Sequence, residues 1–145
     1  MQVILTSEKG LKLIKNFEGF SPVIYKCLGE FETIGHGHKI KPKEVFNKIT
    51  LDEAHILLCK DVLSIEQSVK RNITTPLTKG QLDALVSFTF NVGAAALQRS
   101  TLRQKINRYQ FESVEEEFMK WIFVGQRKVK GLYLRRRAEV ELFFS

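Results

Sequence analysis

Leu11, Ile14 and Phe17 recur three residues apart behind Thr6 and Ser7, a spacing that predicts a first helix capped by one of those hydroxyls. Gly19 and Pro22 end it and leave Glu18 in its last turn. Val23–Tyr25 and Phe31–Ile34 read as short strands around Leu28-Gly29-Glu30, a hairpin with glycine at its turn. Gly35 and Gly37 then release the chain into a polar connector, Lys39–Lys48. Thr50 followed by Glu53 is a capping box opening a long helix, with Ala54, Leu58, Val62, Ile65 and Val69 as its apolar stripe. At about 1.5 Å per residue that helix spans about 30 Å, enough to bridge two lobes. A second box, Thr78 to Gln81, starts a helix through Leu82, Leu85, Val86 and Thr89 that stops at Asn91-Val92-Gly93. Thr101–Gln104 and Ser113–Glu116 are two further helix starts, and a last helix runs from about Leu132 through Leu142. The pattern describes one α+β domain, mainly helical: a small lobe with the hairpin over residues 1–49, a long helix over 50–71 and a helical lobe over 72–145.

At 145 residues, 43% hydrophobic and 27% charged, the chain can bury a real core as one domain. No run approaches the roughly 18–20 apolar residues a membrane span needs. Met1–Leu5 is too short and uncharged for a signal peptide, so synthesis in the cytoplasm is expected. The net charge of +7 favours polyanions in general. No zinc-finger, RNA-recognition or helix-turn-helix signature accompanies it, so no specific nucleic-acid partner is expected. Arg135, Arg136 and Arg137 read as a solvated helix face with one buried ion pair. Cys27 and Cys59 are expected as free thiols, Cys59 within the core of the long helix.

The candidate chemistry lies between Phe17 and His38. A carboxylate, Glu18, a thiol, Cys27, and a hydroxyl, Thr33, stand nine and six residues apart on a helix end and a hairpin, elements that can bring them together in a cleft. On position alone, Glu18 reads as a surface carboxylate at a helix end and Thr33 as an ordinary strand residue. His36 and His38, two apart, would share one face of a strand. Two ligands fall short of the three or four a metal site needs, so neither metal nor cofactor is expected.

These residues resemble those of the phage-type lysozymes, the endolysins of glycoside hydrolase family 24. That family's pattern is Glu, eight residues, Asp or Cys, five residues, Thr, with the Thr opening Thr-Ile-Gly-x-Gly-His. Phe17-Glu18-Gly19, Tyr25-Lys26-Cys27 and Thr33-Ile34-Gly35-His36-Gly37-His38 fill it without a gap. The similarity continues through Leu82–Phe88, Phe90–Gly93, Ser100-Thr101-Leu102 and Gly131-Leu132, and ends in Arg135–Glu139. His36 and Lys39 depart from the family's usual residues at what the resemblance makes the cleft rim.

The resemblance implies a two-lobed lysozyme-like fold with the long helix as the back wall of the cleft. It also implies hydrolysis of the β-1,4 bond between N-acetylmuramic acid and N-acetylglucosamine in peptidoglycan. Glu18 would be the general acid, its pKa raised by burial beside Phe17 and Phe20. Cys27 would be a base helped by Lys26 or a histidine, a nucleophile, or an accessory group; the first, with inversion, fits the family best. Thr33 would place water or sugar, and His38 would brace the hairpin. Lys39, Phe90, Asn91 and Thr101 would contact the saccharide. A lytic transglycosylase and a non-catalytic wall-binding module are the rival readings. A monomer is expected, with a separate holin giving access to the wall.

Overall fold

The computed structural model describes residues 3–27 and 29–145; Leu28, in the expected hairpin turn, lies outside them. Helix α1 (Glu8–Glu18) starts at Ser7, whose side chain accepts from the Gly10 amide, and ends on Gly19 in the left-handed region. Its Ile14 is buried, whereas Phe17 turns outward and is 37% exposed. Gly10 sits where α1 meets α3 (Lys79–Val92). A Cβ there would lie 2.7 Å from Thr6 Cγ2 and 2.9 Å from the Asp83 carboxyl carbon, so only glycine permits the approach.

Strands β1 (Ser21–Lys26), β2 (Glu32–Gly35) and β3 (His38–Lys39) form an antiparallel sheet in that order. Gly29 lies in the first turn as expected, and Glu30 beside it takes a left-handed backbone at φ 61°. The Glu30 amide folds back to the Cys27 carbonyl at 2.8 Å, and that closure sets its backbone. Gly35 and Gly37, at φ 67° and 77°, make a turn into β3 where the sequence suggested mere release. That turn separates His36 from His38, so the two do not share a strand face.

Thr50 and Glu53 form the capping box of α2 (Leu51–Asn72), and Thr78 and Gln81 that of α3. The α2 stripe holds, with Ile65 partly buried and with Glu66 and Ser68 buried beside it. Glu66 accepts the Leu5 amide at 2.9 Å and the Thr6 amide at 2.7 Å, pinning the entry to α1. Cys59 is half-buried beside His55 rather than in the core, and both cysteines are free.

Short elements follow: α4 (Ala94–Arg99), α5 (Thr101–Asn107), a 3-10 turn (Phe111–Ser113) and α6 (Val114–Met119). Ser100, not Thr101, caps α5 by accepting the Arg103 amide. Strands β4 (Phe123–Val124) and β5 (Arg127–Lys128) make a hairpin around Gly125, and α7 (Lys130–Phe143) closes the chain. Neither α4 nor this hairpin is long enough to show a period, which is why the sequence hides them.

The larger core runs through α2, α3, α4, α5, α6 and α7 and is centred on Phe88, whose ring meets Phe118 and Trp121 edge-on at 5.5 Å. Ile14 belongs to it, so α1, although it falls in residues 1–49, packs with the helical lobe. A second, small core of Ile34, Ile49 and Ala54 joins the sheet to α2. His38 locks the same junction. Its Nδ1 lies 2.7 Å from Asp61 and its Nε2 2.9 Å from Glu44. The hydrogen bond to Asp61 raises the imidazole pKa above its ordinary value; burial opposes this and Glu44 adds to it.

Candidate active site

Between the sheet and the helical lobe lies a cleft of about 650 Å³. Alternation along the strands decides what faces it. Thr33 pairs with Tyr25 on one side and with Lys39 on the other, so these three share a face, and Cys27, two residues beyond Tyr25, joins them. Ile34 points the opposite way, into the small core. The lining is completed by Glu18 from the end of α1, Phe90 and Asn91 from the end of α3, Val124 from the second hairpin, Val129 after it, and Gly131, Leu132 and Arg135 from α7.

The fold thus brings together Glu18, Cys27, Thr33, Lys39, Phe90 and Asn91. Thr101 is not among them; it lies exposed at the start of α5, outside the cleft lining. His36 is buried away from the rim, near Phe20, with Nδ1 2.8 Å from the Gly19 carbonyl. The long helix is not the back wall either. No α2 residue lines the cleft among the described residues, because α2 lies behind the sheet.

The carboxyl of Glu18 is held from two sides. Arg135 Nη1 donates to its Oε2 at 2.6 Å, while Oε1 lies against Gly37, where an added Cβ would approach to 2.5 Å. The Glu18 side chain is partly buried, at 21% exposure, while Phe17 and Phe20 are each more than a third exposed. Its main neighbour is a guanidinium. Arg135 is itself fixed by the Ser87 carbonyl at 3.1 Å and by Glu139 at 3.4 Å. Glu139 also accepts from the Ser87 hydroxyl at 2.7 Å and lies 2.9 Å from Arg136 Nε. Arg136 in turn donates to Asn91 Oδ1 at 2.7 Å, so one buried network reaches both Glu18 and a cleft-lining amide.

Arg135 and Arg136 are therefore buried, contrary to the solvated face expected of them; only Arg137 is exposed. One signal could have found this. Arg136 and Glu139 stand at core spacing with Leu132, Val140 and Phe143, and Glu139 is the sole acid between Phe118 and Val140. Burial pushes the Arg136 pKa down to about 10; Glu139 opposes this and Arg135 adds to it.

Cys27 has different neighbours from those expected. Burial pushes its pKa up, but the Thr33 hydroxyl, the Gly29 and Phe31 backbone and the charge of Lys39 together leave it below the ordinary thiol value. Lys39, not Lys26 or a histidine, supplies the cation, and its ammonium is docked 4.9 Å from the Phe31 ring centre. The Thr33 hydroxyl donates to the Phe31 carbonyl at 2.9 Å, and its single hydrogen must rotate to serve the sulfur. Tyr25 is another cleft residue the sequence did not mark. Burial raises its pKa, as do the charges of Glu18 and Cys27, so its phenol stays protonated. In peptide-resolved labelling with iodoacetamide near neutral pH, Cys27 should react ahead of Cys59, whose pKa burial raises. Lys39→Met should slow Cys27 alone; equal rates in wild type and variant would remove Lys39 from the account.

The family model for phage lysozyme matches residues 15–139. The chain belongs to the phage lysozyme family. It is 38% identical over 141 residues to the endolysin of Bacillus phage B103, covering 96% of this chain and 54% of that protein. Over 143 residues it is 38% identical to the endolysin of Acyrthosiphon pisum secondary endosymbiont phage 1, covering 96% and 97%. It therefore spans about half the length of the Bacillus phage relative and nearly all of the other. The muramidase domain of SpmX from Asticaccaulis excentricus superposes with a TM-score of 0.86 at 34% identity, covering 96% of this chain and 97% of that one. The fold is the lysozyme-like α+β fold, mainly helical.

Proposed function

We propose that this member of the phage lysozyme family hydrolyses the β-1,4 bond between N-acetylmuramic acid and N-acetylglucosamine in peptidoglycan, with inversion at the anomeric carbon. The observation that carries the reading is a carboxyl, a thiol and a hydroxyl lining one cleft. Glu18 donates its proton to the glycosidic oxygen as the bond to the anomeric carbon breaks. Arg135, already hydrogen-bonded to Oε2, orients the carboxyl and compensates the charge left on it. A water approaches the opposite face of the sugar, positioned by Thr33, and gives its proton to the Cys27 thiolate. Lys39, Phe90 and Asn91 contact the saccharide chain.

The enzyme works without a cofactor, as a monomer, in degrading the host cell wall from the periplasmic or outer side. Among the described residues no helix is long and apolar enough to cross a membrane. Passage to the wall through a separate holin is part of the proposal.

Product analysis by anomeric NMR and mass spectrometry on wild type, Cys27→Ala and Cys27→Asp tests it. The expected result is a reducing end of inverted configuration, activity kept in Cys27→Asp and reduced in Cys27→Ala. Retained configuration would make Cys27 a nucleophile. A 1,6-anhydro product would make the enzyme a lytic transglycosylase.

A further inference from the structure

Between Phe118 and Ala138 the chain carries Lys120, Arg127, Lys128, Lys130, Arg135, Arg136 and Arg137 and no Asp or Glu. Four of these cations are neutralised by acids from outside the segment. Lys120 pairs with Glu117, Arg135 with Glu18, Arg136 with Glu139 and Arg137 with Glu115. Arg127, Lys128 and Lys130 have no carboxylate within reach among the described residues, and all three are exposed. Lys130 also opens α7, where the helix dipole favours an anion, and the first turn has neither an acidic residue nor a side-chain cap. An anion delivered from outside would relieve this concentration of positive charge.

The same place exposes apolar side chains. Phe123 and Val124 are each about half exposed, and Tyr133 and Leu134 lie open on the first turns of α7. Register sets the apolar groups beside the cations: Phe123 pairs with Lys128 and Val124 with Arg127. Lys128 Nζ also stands 5.1 Å from the Tyr133 ring centre. Val124 belongs to the cleft lining, whereas Phe123 does not.

We propose that the β4–β5 hairpin and the start of α7 form a docking surface for an anionic phospholipid bilayer. Cations flanking exposed aromatic and aliphatic side chains suit the boundary between headgroups and acyl chains. A hydrophilic polyphosphate would satisfy the charges and leave Phe123 in water, so the apolar half of the surface selects lipid. Because Val124, Val129, Gly131 and Leu132 line one side of the cleft, docking sets the cleft mouth beside the membrane.

Co-sedimentation of the full chain with vesicles tests this at about 0.15 M salt. One set mixes phosphatidylglycerol with phosphatidylcholine and the other is phosphatidylcholine alone. Binding should require the anionic lipid. Phe123→Ser, and the double change Arg127→Glu with Lys128→Glu, should each weaken it by about tenfold or more. Lys43→Glu with Lys48→Glu, the same change in net charge on the exposed connector, should change it by less than about twofold. Hydrolysis of purified walls, unchanged in all three variants, verifies that they are folded. Three results would each overturn the assignment: equal losses in the two charge-reversed proteins, undiminished binding in Phe123→Ser, or capture by soluble polyphosphate with none by vesicles.

Discussion

Glu18→Gln is expected to lower the rate of wall hydrolysis by about 10³-fold, within the range that removal of a general acid produces. The amide keeps the shape of the side chain and can still accept from Arg135, but it has no proton of suitable acidity for the glycosidic oxygen. Arg135 retains the Ser87 carbonyl and Glu139, so the buried network survives and the melting temperature should move by only a few degrees. Turbidity clearing of purified walls, with thermal unfolding followed in parallel, separates loss of chemistry from loss of fold. Equal clearing by wild type and variant would sink the catalytic reading and leave a wall-binding module.

The largest effect on stability is expected from Glu139→Ala. Glu139 is fully buried, as is Arg136, with Arg135 nearly so. Removing the carboxylate leaves the Arg136 guanidinium in the core without a counter-charge, and Asn91 remains as its hydrogen-bond partner. Breaking one side of a buried pair in this way costs about 3–5 kcal/mol, or about 10 °C in melting temperature for a chain of this size. Replacing both partners, as in Arg136→Met with Glu139→Leu, should recover much of that loss, because the lone buried charge is then absent. A single variant that melts with wild type would mean that water reaches Arg136, and the buried network would lose its part in fixing Arg135.

Local signals in the chain were reliable where the physics is local. Both capping boxes close within four residues, and α2 and α3 begin where Thr50 and Thr78 place them. Glu18 likewise sits in the last turn of α1 as Gly19 and Pro22 dictate. The partner of Glu18 could not be read in the same way, since Arg135 lies 117 residues further along and only the docking of α7 on α3 brings it near. Lys39 was legible as a rim residue but not as the neighbour of Cys27. That relation depends on β3, a strand of two residues with no period to detect. Thr101 and the back-wall role of α2 came from resemblance alone, and neither is where the cleft is.

The assignment of side chains to two separate cores has a mechanical consequence. Glu18 is rooted in the larger core through Ile14 and Arg135, whereas Cys27, Thr33 and Lys39 ride on a sheet seated on Ile34, Ile49 and Ala54. In the proposed mechanism, the gap that admits one water and one sugar is therefore a spacing between two bodies of unequal firmness. The three-residue core is the softer mount. Heat or denaturant would throw the acid and the thiol out of alignment while Phe88 and its neighbours were still packed, so the enzyme would fall silent before it melts.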